Sequence, residues 1–242
     1  TVWATGLNNY GQLGDGTLIN RTNTVQVKNP NGDPFTGVTD VQTGSYHTVY
    51  LKGDSTVWTS GYNSDGQLGD GSTSNRSNPA QVTKADGSPL YEVSMISAGT
   101  FHSVFLKTDG TVWGTGHNTY GTLGDGSNIQ RKNPVQAMDQ NGSVFSGVAF
   151  LDAGCFHTVF KKKNGSILSV GWNNTGQLGD GTSINRSNPV PVLGGNGLAL
   201  SGVSAFSVGG FHSTFLMNDG TVNSVGRNTS GELGDGTVGN RS

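Results

Sequence analysis

The chain has 242 residues, 40 of them glycine, with 12% charged and 32% hydrophobic residues and a formal net charge of −2. Charged residues make up about half their usual share, so Asn, Ser, Thr and Gln must carry the polar surface, while regular short apolar runs exclude a disordered chain. The only basic run, Lys161-Lys162-Lys163, gives no electrostatic footprint for nucleic acid, and no apolar run is long enough for membrane insertion.

The chain opens on Thr1-Val-Trp-Ala-Thr5, a short β-type run, and then on a glycine-rich stretch that recurs. Copies begin at Gly6, Gly61, Gly116, Gly171 and Gly226, each 55 residues after the last. The arginines that follow keep the same step, Arg21, Arg76, Arg131, Arg186 and Arg241, and so do His47, His102, His157 and His212. A fixed period of this size marks a repeat architecture. Within the first complete repeat, Val38–Thr43 is a β-branched run ended by Gly44 and reads as strand A. His47–Lys52 alternates in character and reads as strand B. Asp54-Ser55 turns the chain, with Asp109-Gly110, Asn164-Gly165 and Asp219-Gly220 as counterparts of the two-residue hairpin type. Thr56–Ser60 is strand C, the glycine-rich stretch is a long loop, and Asn78–Val82 is strand D, whose Pro79 suits a sheet edge.

No segment has helical periodicity, so each unit is predicted to be four short antiparallel strands. Val49, Val104 and Val159 share one face of strand B with the histidines, while Tyr50, Phe105, Phe160 and Phe215 take the other. A sheet apolar on both faces must be sandwiched between others, which is the β-propeller solution. The fold class expected is therefore all-β, a propeller of four-stranded blades in one continuous array. The boundaries are a partial blade 1–37, full blades 38–92, 93–147 and 148–202, and a partial blade 203–242.

Gly-x-Asn-x-x-Gly-Gln-Leu-Gly-Asp-Gly, followed by Arg, Pro and Gly-x-x-His-Ser/Thr, resembles the regulator of chromosome condensation repeat family. Asn8-Asn-Tyr-Gly-Gln-Leu-Gly-Asp-Gly-Thr17 and Gly44-Ser-Tyr-His-Thr48 carry the resemblance in the first copy, and it extends over the whole chain. It implies propellers, typically of seven blades, about 385 residues at this period. It does not fix function. The family includes a nucleotide-exchange factor for a small GTPase, a plant UV-B photoreceptor and a secreted bacterial inhibitor of β-lactamases. The exchange factor has basic extensions and an inserted wedge, whereas this chain is faintly acidic and its strict 55-residue step leaves no insertion. The photoreceptor has tryptophan in the A–B turn, where this chain has Ser45, Thr100, Cys155 and Gly210. The low-charge composition is most similar to bacterial secreted or surface members, so a secreted or cell-surface bacterial setting is expected. Thr1 does not begin a signal peptide, and the chain is read as a mature product or an excerpt.

One histidine per blade cannot converge on a metal, and no nucleophile recurs with a base and an orienting acid. Each imidazole is expected to bond the backbone beside its glycine turn. Asp15, Asp70, Asp125, Asp180 and Asp235 offer one carboxylate per loop, too few for calcium; they are expected to accept backbone N–H groups and to pair with the arginine six residues on. The glycosylation-type triplets at Asn20, Asn75, Asn185 and Asn240 arise from the repeat itself. Cys155, the single cysteine, excludes an intrachain disulfide. No catalytic residue, metal or cofactor is expected.

Two positions supply differentiated side chains for binding. The A–B turn carries Tyr46, Phe101, Phe156 and Phe211, aromatic anchors of the kind that dominate interface energy; the resemblance to the β-lactamase inhibitor implies the same turn as a contact face, and packing against a neighbouring blade is the plainer alternative. The residue before the recurring asparagine varies as Leu7, Tyr62, His117, Trp172 and Arg227, which suggests exposure. The chain is therefore expected to be a non-enzymatic module that binds another protein through one face. The alternatives are a spacer segment of a large bacterial surface protein or adhesin, a β-lactamase-inhibitor-like protein, and a lectin. The two termini share a phase, so the array is expected to form an arc that does not close on itself, completed by further parts of a longer chain, by self-assembly or by an additional chain.

Overall fold

A computed structural model of the chain describes all of residues 1–242, as 17 strands and no helix. The first sheet pairs β1 (Trp3–Gly6) with β2 (Arg21–Gln26). Three four-stranded sheets follow: β3 (Val38–Thr43), β4 (His47–Lys52), β5 (Val57–Gly61) and β6 (Arg76–Gln81); β7 (Val93–Ala98), β8 (His102–Lys107), β9 (Val112–Gly116) and β10 (Arg131–Gln136); β11 (Val148–Ala153), β12 (His157–Lys162), β13 (Ile167–Gly171) and β14 (Arg186–Pro191). The last sheet has three strands, β15 (Val203–Val208), β16 (His212–Met217) and β17 (Val222–Gly226). Neighbouring strands are antiparallel and lie in sequence order, as four-stranded meanders joined by short turns require.

The chain packs as two compact units. One comprises Thr1–Thr108, Trp113–His117 and Gln130–Val135; the other Asp109–Val112, Asn118–Ile129 and Gln136–Ser242. In the first unit, Val49, Leu51, Val57, Val82 and Leu90 of one repeat form a single core with Val93, Ile96 and Phe105 of the next. On the opposite face of β4, Tyr50 packs with Val27 and Phe35. Each fully buried side chain of this kind stabilises by about 1.5–3 kcal/mol. The second unit repeats the arrangement, with Val159, Ile167 and Val192 against Leu200, Val203 and Phe215.

The strand limits differ slightly from those read in the sequence. Strand D starts at Arg76 rather than Asn78, because Arg76 pairs with Gly61 across an irregularity after Thr59. The B–C turn is longer than the two-residue type. Ser55 N–H donates to Lys52 O at 2.9 Å and Lys52 N–H to Thr56 O at 3.0 Å, enclosing three residues. The third sits at positive φ, 63° at Ser55 and 83° at Gly110, which is why glycine is preferred there.

Successive repeats interlock through the C–D loop. Gly71 N–H donates to Lys132 O at 2.9 Å, and Gly126 N–H to Ser187 O at 2.9 Å. In the reverse direction, Asn133 Nδ2 donates to Thr83 O at 2.8 Å, and Asn188 Nδ2 to Met138 O at 3.1 Å. Gly66 lies so close to the next repeat's strand that an added Cβ would come within 2.6 Å of Lys132 Cα.

Candidate functional site

The C–D loop is built around an asparagine that the sequence reading passed over. Asn63 is fully buried. Its Nδ2 donates to Asp70 Oδ1 at 3.3 Å, Ser72 O at 3.2 Å and Ser74 O at 3.0 Å, and its Oδ1 accepts from Leu68 N–H at 2.9 Å. Asn8, Asn173 and Asn228 make the same set. The signal was present: this residue is identical in all five copies while its predecessor changes each time.

Asp70 completes the loop as expected. Its Oδ1 accepts from Ser72 N–H at 3.0 Å and Ser72 Oγ at 2.8 Å, and its Oδ2 from Arg76 Nε at 2.6 Å. Burial alone would raise the carboxyl, but hydrogen bonds from Ser72 and Arg76 hold it below its ordinary value. Arg21–Asp15, Arg186–Asp180 and Arg241–Asp235 repeat the ion pair. Both oxygens are thus committed to protein donors, and no group of three or more His, Cys, Asp or Glu side chains is placed to hold a metal. Asn75 Oδ1 accepts from Asn63 N–H at 2.9 Å, and Asn20, Asn185 and Asn240 do the same for Asn8, Asn173 and Asn228. This cap is the physical reason an asparagine recurs before each of these arginines.

The histidines bond differently from the expectation. His47 Nε2 lies 2.9 Å from Ser103 Oγ, and His157 Nε2 3.0 Å from Ser213 Oγ. The partner is the hydroxyl that follows the next repeat's histidine, not the backbone. Ser103 Oγ donates its single proton to Gln67 O at 2.8 Å, so His47 must be the donor, with its proton on Nε2. Burial pushes His47 down to about 4 and His157 to about 3.

The two candidate binding positions lie side by side. The backbone joins them directly: Tyr62 N–H donates to Tyr46 O at 2.9 Å, His117 N–H to Phe101 O at 2.8 Å, Trp172 N–H to Phe156 O at 2.9 Å and Arg227 N–H to Phe211 O at 2.9 Å. Glycine follows strand C for this reason, since a Cβ on Gly61 would fall 2.5 Å from Tyr46 O. In the first unit, Tyr46 stacks on Phe101 with centroids 6.0 Å apart and interplanar angle 21°, and Tyr62 lies 6.0 Å from the same ring. Tyr10, absent from the candidates, joins them at 5.7 Å from Tyr46 and 4.9 Å from Tyr62. In the second unit, Trp172 lies 6.3 Å from Phe156 and 5.3 Å from Phe211, Tyr120 lies 5.7 Å from Phe156, and the Arg227 guanidinium lies 5.7 Å over the Phe211 ring. Tyr46 is 37% exposed; Phe101, Phe156, Phe211, Tyr62, His117, Trp172 and Arg227 are half-buried and Leu7 is exposed. Burial lowers the His117 imidazole, and the Asp65 charge opposes this. Each aromatic therefore packs on its neighbours and still keeps an accessible edge.

The profile of the Regulator of chromosome condensation (RCC1) repeat matches residues 1–51, 54–106, 109–160 and 164–216. The human "Probable E3 ubiquitin-protein ligase HERC6" is 32% identical over 235 residues, covering 95% of this chain and 22% of that protein. The "Ultraviolet-B receptor UVR8" of Arabidopsis thaliana is 28% identical over 188 residues, covering 78% of this chain and 41% of the receptor. Among solved structures, human WBSCR16 superposes with a TM-score of 0.78 at 21% identity, over 99% of this chain and 60% of that one. Prp20p from Saccharomyces cerevisiae, a protein described with binding properties to Gsp1p and histones, superposes with a TM-score of 0.75 at 24% identity, over 98% of this chain and 57% of that one. The chain thus spans less than two thirds of each of these proteins, and the superpositions show the fold: blades of an RCC1-type β-propeller.

Proposed function

Because the chain belongs to the regulator of chromosome condensation (RCC1) repeat family, we propose that it is a non-enzymatic module that binds another protein through the surface that A–B turns and C–D loops form within each unit. The observation that carries this reading is that, within each unit, the aromatic A–B-turn position and the variable position before the asparagine come together as partly exposed groups, Tyr46, Tyr62 and Phe101 in one unit and Phe156, Trp172 and Phe211 in the other. Rigid aromatics with few rotamers give much contact area for little ordering entropy, and such groups dominate binding energy at interfaces. The ligase and receptor activities named for the relatives belong to longer proteins and are not assigned to this chain. The A–B slot occupied by Ser45, Thr100, Cys155 and Gly210 argues against light sensing. The charge-poor composition supports a secreted or bacterial-surface setting.

The test replaces Tyr46, Phe101, Phe156 and Phe211 together by alanine and compares capture of proteins from the native environment. A binding face predicts loss of one specific captured protein, by about 2 kcal/mol or more in affinity, with the fold retained by circular dichroism. A spacer predicts an unchanged capture profile and overturns the proposal.

A further inference from the structure

Strand C carries tryptophan at one place in three of its copies, Trp3, Trp58 and Trp113, where the remaining copies have Leu168 and Asn223. Trp58 shows the frame that such an indole occupies. Its ring lies 5.6 Å from Phe35, and its Nε1 donates to Thr56 Oγ1 at 3.1 Å. The Lys52 ammonium stands 5.4 Å over the indole and 5.1 Å over Phe35. The sheet β11–β14 keeps this frame without the indole. Phe145 and Lys162 hold the places of Phe35 and Lys52, with the ammonium again 5.1 Å over the phenyl ring. Ser166 holds the place of Thr56, and Leu168 that of Trp58. A pocket of about 430 Å³ opens at this point, lined by Lys162, Ser166, Leu168, Pro191, Ala199 and Leu200 among others. Pro191 lies opposite Leu168 across β13 and β14, and every wall belongs to this four-stranded sheet or to the connector that follows it.

The charge at this pocket is uncompensated. Lys107, one repeat earlier, pairs with Glu92 at 3.0 Å. The place of Glu92 is taken by Gly147 beside Lys162, where an added Cβ would come within 3.4 Å of Lys162 Cε. No aspartate or glutamate lines the pocket, and Lys161 and Lys163 flank Lys162 in the chain. We propose that the pocket binds a small aryl carboxylate whose ring is of indole size. The ring lies on Leu168 and Pro191, where the other sheets hold their own indole. Its N–H donates to Ser166 Oγ as that of Trp58 does to Thr56 Oγ1. The carboxylate accepts from Lys162 Nζ, in a charge-assisted hydrogen bond, while the same ammonium attracts the face of the ring. The volume falls within the range of about 300–1,000 Å³ usual for small-ligand sites. A wholly polar anion such as phosphate would lose hydration against Leu168, Pro191, Ala199 and Leu200 without regaining it.

The probe is indole-3-acetate, titrated calorimetrically into the 242-residue chain. It binds saturably at one-to-one stoichiometry, more tightly than indole, and acetate alone does not bind. Lys162→Met keeps the apolar stem and removes the charge. It weakens binding of indole-3-acetate about ten-fold and removes most of its advantage over indole. Leu168→Trp fills the pocket from within, abolishes binding of both compounds and raises the thermal midpoint. Circular dichroism confirms that this variant folds, and Lys162→Met decides the matter if it does not. Absence of saturable binding, equal binding of acetate, or binding indifferent to both variants overturns the proposal. The last outcome would locate the probe on another surface, such as the one formed by Phe156 and Trp172.

Discussion

Val57 in β5 and Val222 in β17 hold the same place in the repeat, yet Val57 is 0% exposed and Val222 58%. Leu51 and Leu216 differ in the same way, at 7% and 42%. On the other face of the same sheet Phe215 remains buried, because it packs against the preceding repeat's Val159 and Ile167. The core of a blade is therefore completed by the neighbouring repeat on each of its faces, so stability is in large part a property of seams.

The sharpest way to break this comparison is at the loop glycines. Gly66 and Gly231 have nearly the same φ, 85° and 81°, but a Cβ on Gly66 would meet Lys132 Cα at 2.6 Å, while one on Gly231 would meet nothing within 4 Å. Both substitutions to alanine carry backbone strain of about 1 kcal/mol; Gly66→Ala adds an overpacked seam, for a total of about 3–4 kcal/mol. Equal denaturant midpoints for the two variants would show that the seam is soft.

Acid probes the same seams. His47 and His157 are neutral in the folded protein because burial depresses them to about 4 and about 3, while in the unfolded chain a histidine titrates near 6.5. Below that value the unfolded state binds more protons, so stability is fully present above about pH 6.5 and falls as pH drops toward 4. The loss is on the order of 3 kcal/mol for His47. Thermal midpoints recorded from pH 7 to pH 4 should fall steadily, and His47→Gln should flatten the slope while lowering the midpoint at neutral pH. A flat profile in the unmodified protein would count against protonation of the seam histidines.

The smallest contrast is at the valines themselves. Val57→Ala should cost about 2 kcal/mol and Val222→Ala under about 0.5 kcal/mol, as read from urea unfolding. A comparable cost at both would mean that Val222 is covered in solution.

The fold was legible because its two signals are redundant. The 55-residue step fixes the unit, and the two apolar faces of strand B, Val49 and Tyr50 among them, demand sheets on both sides. The seams were less legible, since nothing local in Asn133 announces a bond to Thr83 O in the repeat before. The histidines misled for the same reason: Ser103 is adjacent to His102 in sequence but serves His47. At the candidate site, the turn aromatics and the varying residue before the asparagine are each visible in the sequence. Their adjacency is not, because it depends on the Tyr62 N–H to Tyr46 O bond across the end of the sheet. Tyr10 and Tyr120 were missed because the same position holds Asp65, Thr175 and Ser230 in the other copies, which hides the aromatic pattern.

The glycine seam has an evolutionary consequence. The contact of Gly11 with Arg76 O and Ser77 Cα is repeated by Gly66 with Arg131 O and Lys132 Cα, and by Gly121 with Arg186 O and Ser187 Cα. Unequal recombination that duplicates or deletes 55 residues joins one such surface to another of the same kind, so array length can change in a single genetic event with no new contact to refine. Meanwhile Leu7, Tyr62, His117, Trp172 and Arg227 project from a frame that tolerates each of them. The molecule is in this sense typeset: the body of every block is cast alike so that blocks fit together, and the character on its face is free to vary.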